Sequence, residues 1–367
     1  MNIDWLVELG AKVLPLLGFV AILSAMMFVH ELGHFVTARL SGITVQEFGF
    51  GLPPRLWGYK AKNGVIYSIN WIPFGAFVKM LGEEDPTAPG SFASKPRPIR
   101  AIVLAAGSGM NFLLAVAAFA MVFIVGVPGL TPDSPVTVAE VADASPAQAA
   151  GLQPGDVIVS VDNQPVAVQS FRDDTQTHLD QPMAIQYKRG DQTFSTTLTP
   201  RSAPPEGQGA IGIVISGGLV HLNPLAALGQ GFQQTVRVIG LTLSVPKMLI
   251  EGTIAPSDAR LVGLVGMAQE TSATVSYVAD TGFWYPLFFL TGLFSAGLSI
   301  ANMLPIPALD GGRLFFVILE WIRGRRIPPE REAAYHFVGI VVLLTIMVII
   351  SFNDLISPLP AINWAGR

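Results

Sequence analysis

Residues 14–36 read LPLLGFVAILSAMMFVHELGHFV. The run is long and apolar enough to cross a bilayer core, which takes about 20 such residues. Near its far end stand His30, Glu31 and His34. Ionisable groups within a membrane helix are costly and mark function. Four residues apart on a helix, the two histidines share one face, so both imidazoles reach one ion. Imidazole nitrogen suits zinc, and Glu31, turned to the side, is placed to take a proton from a water held by the metal. The plainer reading is a pair of helix-end histidines that snorkel to the interface.

Working outward, three further stretches qualify as spans: about 101–127, 283–304 and 335–352. The whole chain agrees: 51% of its 367 residues are hydrophobic and 13% charged, against roughly 25% charged in soluble domains, and the mean hydropathy is +0.51. The first span reads as retained rather than as a cleaved leader, because Asp4 and Glu8 precede it, Lys12 is the one early cation, and no small-residue cleavage site follows. Basic residues gather between spans one and two (Arg39, Arg55, Lys60, Lys62, Lys79, Lys95, Arg97, Arg100) and between spans three and four (Arg313, Arg323, Arg325, Arg326, Arg331). Both loops are therefore expected in the cytoplasm, with the long middle section and both termini outside. A net charge of −4 and no basic cluster with interleaved aromatics give no reason to expect nucleic acid. The absence of cysteine excludes disulfides and thiolate metal sites.

The middle section changes character. Residues 136–215 carry short β-rich runs (VTVAEV, DVIVSVD, MAIQYKR, TFSTTLT, AIGIVI) between turn signals. Ser145 reads as the N-cap of a short helix with Pro146 in its first turn and Gly151 as its stop. Pro204 to Gly209 reads as a loop. Residues 223–252 read as an amphipathic helix able to lie on the membrane, with a fifth span disfavoured by Gln230, Gln233, Gln234 and Arg237. Residues 44–80 alternate like strands and suggest a cytoplasmic hairpin dipping toward the bilayer.

Two histidines leave a catalytic zinc one protein ligand short. Asp310, in NMLPIPALDGG (302–312) at the cytoplasmic end of the third span, is the best third candidate; the alternative is that it caps the following helix. The prolines break the helix there, and Gly311 and Gly312 permit close backbone approach. The amide of Asn302 suits either a substrate backbone or oxyanion, or an interhelical hydrogen bond. Asn111 on the second span reads the same way, with the structural role favoured. His178, His221 and His336 read as surface or interface residues.

HELGH on a first span paired with N-x-x-P-x-P-x-L-D-G-G on a later one resembles the site-two protease family of intramembrane zinc metalloproteases, over nearly the whole chain. The run SPAQAAGLQPGDVIVSVD (145–162) is similar to bacterial PDZ domains, and the arrangement looks like the regulator-of-sigma-E type. That resemblance implies a multi-span α-helical membrane protein of about four transmembrane helices, with an inserted β-rich PDZ domain and a membrane-associated β-hairpin. Its divisions would be 1–127 (two spans and hairpin), 128–217 (PDZ), 218–280 (amphipathic helical linker) and 281–367 (two spans). It implies one Zn2+ held by His30, His34 and Asp310, Glu31 as general base and acid, and Asn302, with the segment of Gly49 and Gly51, toward substrate; Asn111 joins these substrate candidates on its residue type alone. The expected activity is hydrolysis in or near the transmembrane helix of single-span membrane proteins, such as a pre-trimmed anti-sigma factor or signal-peptide remnants, in a bacterial inner membrane. The PDZ groove would take a peptide or merely filter substrates by size. Departures from the family's pattern are Ser108 where Ala-Gly-Pro is common, one PDZ signal instead of two, and no proline after Gly263. The competing readings are a non-catalytic PDZ scaffold, against which the intact HELGH stands, and a transporter, for which no internal repeat is seen.

Overall fold

The computed structural model describes residues 4–82, 88–129, 132–205, 207–216, 219–256, 259–325, 327–360, 362 and 364. Of the residues used above, 1–3, Glu206, 217–218 and Arg326 lie outside this set. In chain order the elements are α1 (Asp4–Leu40), β1 (Val45–Lys60), β2 (Ile66–Met80), α2 (Arg97–Val125), β3 (Val127–Pro128), β4 (Val136–Val141), α3 (Pro146–Ala149), β5 (Val157–Val161), β6 (Gln164–Pro165), α4 (Val168–Thr177), β7 (Met183–Arg189), β8 (Gln192–Leu198), β9 (Ile213–Ser216), β10 (Leu219–Val220), α5 (Pro224–Ile250), α6 (Leu264–Thr281), α7 (Tyr285–Met303), α8 (Asp310–Arg323) and α9 (Pro329–Ile356). They fall into two compact units, Met1–Val122 with Pro224–Arg367, and Phe123–Asn223.

In the first unit four helices among the described residues are long and apolar enough to cross a membrane: Val13–Leu40, Arg97–Val125, Tyr285–Met303 and Arg331–Ile356. The second of them extends to Val125, three residues past the boundary at Val122. The amphipathic helical linker expected over 218–280 consists of two helices. α5 buries the small residues Ala227, Gly231 and Thr235, one turn apart, and a Cβ on Gly231 would collide with the Val116 carbonyl of α2. It leaves Leu225, Leu228, Phe232 and Leu241 exposed. α6 was not foreseen as a separate helix, because the face it buries is Gly266, Glu270, Thr271, Thr274 and Val278, too polar to produce an apolar period. Asp354 of α9, fully buried, accepts from the amides of Gly263 and Gly266 (2.8 and 2.9 Å) and so satisfies the start of α6.

The hairpin region forms a curled sheet. β1 pairs antiparallel with β2 from Val45↔Met80 to Phe50↔Ala76 and from Arg55↔Asn70 to Lys60↔Ile66. Its first half also pairs with the beginning of β2, Glu47↔Ile66 through Phe50↔Ile69. Residues 45–50 thus lie between the two halves of β2, and the sheet edges are 55–60 and 76–80. Phe48 packs between Phe35 (4.8 Å between ring centroids) and Phe28 (5.3 Å), fixing the sheet against α1.

The second unit holds a sheet of order β8-β7-β5-β4-β9, with β6 on β5. Met183, Ile185 and Tyr187 alternate inward along β7 and meet Val168 and Phe171 of α4 in one core. Ser145 caps α3 through the Gln148 amide (3.1 Å), Pro146 sits in the first turn, and Gly151 turns the chain with φ +78°. α4 escaped the sequence reading because its ten residues, VQSFRDDTQT, show only two large apolar side chains.

Fully buried Asp156 in this unit accepts from the Arg189 guanidinium at 2.7 and 2.8 Å and from the Gln153 amide at 2.8 Å. Burial pushes its carboxyl up, but these bonds outweigh burial and hold it below the usual range. A depressed folded-state pKa stabilises the fold above the unfolded pKa of about 3.9, and that stability is lost as pH falls through the lower folded value. Asp156→Ala is expected to cost about 1–3 kcal/mol by orphaning its donors. Faster amide exchange across β5 and β7 of the full chain would register the loss; unchanged exchange would refute it.

Candidate metal centre

Close helix approach makes the site. A Cβ on Gly33 of α1 would strike the Ala106 carbonyl of α2, and one on Gly107 would fall on both imidazoles, 2.6 Å from His30 Nε2. Ser295 and Ser299 of α7 donate to the Asn111 and Ser108 carbonyls of α2, both at 2.9 Å, so α7 seats against the same helix. Small residues allow such contacts between membrane helices. At the other end of α8, Glu320 pairs with Arg100 (2.5 Å) and Arg97 (3.1 Å) at the start of α2. Sequence reading assigned these two arginines only to the loop charge. Gly311 and Gly312 complete the arrangement, since a Cβ on either would strike the backbone of Met303–Ile306.

These contacts bring Asp310 to the histidines across 280 residues of sequence. His30 Nε2 lies 2.9 Å from Asp310 Oδ2, His34 Nε2 3.2 Å from the same oxygen, and the two nitrogens 3.2 Å apart. Asp310 is the first residue of α8 with Leu309 as N-cap, and its side chain turns to the histidines rather than capping. Glu31 stands beside the triangle, where its Oε2 accepts the Val78 amide from the edge strand of the sheet (3.0 Å).

The donor set fits a metal. Ligands 2.0–2.1 Å from a tetrahedral zinc stand about 3.3 Å from one another, close to the spacing of these three atoms. His34 Nδ1–H donates to the Val103 carbonyl (2.7 Å), which leaves Nε2 with its lone pair toward the other two atoms. His30 Nδ1 faces the Asn111 amide at 3.2 Å, and Asn111 Oδ1 is buried with no partner among the described residues. Turning that amide by 180° lets the oxygen accept from Nδ1–H and frees His30 Nε2 in the same sense. The histidine side chains are 10% and 6% exposed and that of Asp310 21%, so the triangle is open on the aspartate side.

The remaining sequence candidates distribute differently. Asn111 has no exposed surface and reaches His30, not substrate, which corrects the expectation of substrate contact. Asn302 is partly exposed, with its amide nitrogen 3.5 Å from His30 Nδ1. Gly49 and Gly51 are buried, and Gly49 is paired on both sides, to Phe77 and Ser68; the free edge is elsewhere, a second correction. His178 pairs with Asp162 (3.0 Å) and His221 donates to the Ile124 carbonyl (3.1 Å), both in the second unit.

His336 is more than an interface residue. Its Nδ1 accepts the Ala308 amide at 2.9 Å, and Ala308 holds the left-handed φ of +80° two residues before Asp310. Gly339, one turn on, lets Pro307 lie against α9. No motif announces this contact, because its donor is backbone. His336→Ala is expected to weaken zinc retention about 10-fold, the lower end for loss of an outer hydrogen bond, and His336→Asn, which keeps an acceptor near Nδ1, to restore most of it. Chelator competition checks this, and equal retention by wild type and His336→Ala would disprove it.

A model of peptidase family M50 matches residues 18–346. The chain belongs to that family. This M50 peptidase is 32% identical over 339 residues to a Clostridium perfringens protein described as a zinc metalloprotease, covering 92% of this chain and 97% of the relative. It is 28% identical to the zinc metalloprotease RasP of Shouchella clausii (93% and 98% covered) and 28% identical to the regulator of sigma-W protease RasP of Bacillus subtilis (92% and 97%). The PDZ domain of an SdrC-like protein from Listeria innocua is 27% identical over 24% of this chain and 99% of that domain, with a TM-score of 0.21. This M50 peptidase is thus a multi-pass membrane zinc metalloprotease of the site-two type.

Proposed function

We propose that the enzyme hydrolyses peptide bonds in or near the transmembrane helix of single-span membrane proteins, with His30, His34 and Asp310 holding the zinc. The convergence of three donor atoms within 2.9–3.2 Å, partly exposed on the aspartate side, carries the reading. Zinc held there supplies a Lewis acid and a water acidic enough to attack at neutral pH. With zinc bound, Glu31, oriented by the Val78 amide, would be the group that accepts a proton from the attacking water. It then delivers the proton to the leaving nitrogen as the C–N bond breaks. Asn302, partly exposed, is placed to meet the substrate backbone.

A substrate helix hides its peptide bonds in its own hydrogen bonds and must be drawn out before water attacks. The edge strand 76–80 passes Glu31 at Val78, and an unwound segment adding to that edge would lie across the zinc site. Orientation follows the basic loops: the catalytic end faces the cytoplasm and the inserted domain lies outside. Substrates of the anti-sigma-factor kind suit this geometry and the sigma-W regulation named for the Bacillus relative.

Reconstitution in liposomes with a single-span substrate already trimmed on its outer side tests the reading. Chelation should stop cleavage, zinc should restore it, and the mapped cut should fall in or beside the membrane segment. Cleavage that persists without metal, or only in a soluble domain, would sink it.

A further inference from the structure

A cavity of about 720 Å³ opens where α1 ends and the hairpin sheet begins, lined among others by Arg39, Thr44, Arg55, Lys60, Asn63 and Lys79. Its carboxylate, Glu47, is already engaged by the Arg55 guanidinium and by the Ser68 hydroxyl (2.7 Å). Ser68, Arg55 and Lys79 hold that carboxyl below the usual range despite its burial. Arg39, Lys60 and Lys79 are in no ion pair among the described residues. Lys95 Nζ approaches Gly42 on the rim, 3.4 Å from where a Cβ would stand. Several positive charges thus face a space with one committed negative charge, an arrangement that attracts an anion.

Its depth identifies the anion. The end of a spanning helix marks the level where hydrocarbon gives way to headgroups. Beside the cavity, next to Lys60, the same sheet presents Tyr59 to the outside, 54% exposed, and tyrosine collects at that level, while Trp57 and Trp71 stand farther along the sheet, toward Phe28 and Ser24 of α1. A cationic cavity at headgroup depth, with Tyr59 beside it and the exposed Leu56, Trp57, Trp71 and Ile72 continuing toward the middle of the span, matches the phosphate of an anionic phospholipid whose acyl chains would run along those apolar side chains.

We propose that this cavity is a binding site for an anionic phospholipid headgroup. Lys79 belongs to the edge strand and neighbours Val78, whose amide holds Glu31, so an occupied site steadies the strand that orients the catalytic carboxylate. The effect on catalysis rests on the function proposed above; the binding does not.

The test uses the full chain in nanodiscs and its tryptophan fluorescence, quenched by brominated phosphatidylglycerol or brominated phosphatidylcholine at equal fractions. Stronger quenching by the anionic lipid is expected in wild type. With Arg39, Lys60 and Lys79 all changed to Gln, the preference should fall about 100-fold, and with Lys60→Gln alone about 5-fold. Zinc content of the variants establishes that they are folded. Equal quenching by both lipids, an unaltered preference in the folded variants, or full displacement by millimolar inorganic phosphate would overturn the headgroup assignment. Cleavage assayed in the same nanodiscs separates the two proposals: lipid preference without proteolysis leaves this site standing and removes the protease reading.

Discussion

Glu31→Gln is expected to lower peptide-bond cleavage about 10³-fold while the protein keeps its zinc. The magnitude is that of a positioned general acid and base, typically 10²–10⁴-fold. The separation of activity from metal follows from geometry. Glu31 stands beside the donor triangle, bonded to the Val78 amide, and contributes none of its three edges. Glutamine keeps the size and the acceptor for that amide but cannot carry a proton from water to the leaving nitrogen. Asp310→Ala is the contrasting case, removing a donor atom and losing zinc and activity together. Zinc content and cleavage rate on the same preparations check both. A Glu31→Gln protein without zinc would make Glu31 a ligand, and one of normal activity would move the proton transfer to another group.

The second large effect comes from a residue with no chemistry of its own. Gly107→Ala places a methyl group where the His30 and His34 rings now pass α2. Neither ring can retreat freely: His34 is tied to the Val103 carbonyl and His30 lies against the Asn111 amide. The helices must part or the rings must turn, and a displacement near 1 Å in a catalytic array costs about 10²-fold. Zinc retention and cleavage should both fall by about that factor. Gly109→Ala, on the same helix, meets nothing within 4 Å and serves as the control. Equal behaviour of the two variants would show that α1 and α2 are not packed as described.

Both predictions show what a linear reading reaches. Hydropathy sums over a window, and HELGH is complete within five residues of one helix, so the four spans and the histidine pair are visible without any knowledge of packing. The prolines before α8 and the paired glycines in its first turn likewise announce a break and a close approach, although only tertiary structure shows that Asp310 uses that break to reach the histidines instead of capping a helix. α6 and α4 were missed because their buried faces are small, polar or short, and an apolar period is the signal such a reading relies on. The sheet order was equally out of reach: alternation marks residues 44–80 as strands but does not say which half of β2 forms the free edge, and so Gly49 and Gly51 were placed there wrongly.

By itself, then, the sequence determined the membrane class, the span count, the β-rich insert and the residue types able to hold zinc, because each depends on side chains close together along the chain. Tertiary structure alone decided that Gly107 sits against both imidazoles, that the Val103 carbonyl and the Asn111 amide orient the rings, that His336 holds the Asp310 loop, and that Val78 reaches Glu31. The physical reason is common to all four. Apart from the Asn111 side chain, each contact relies on a backbone group or on the absence of a side chain, and neither carries a residue-type signal until the helices are packed together.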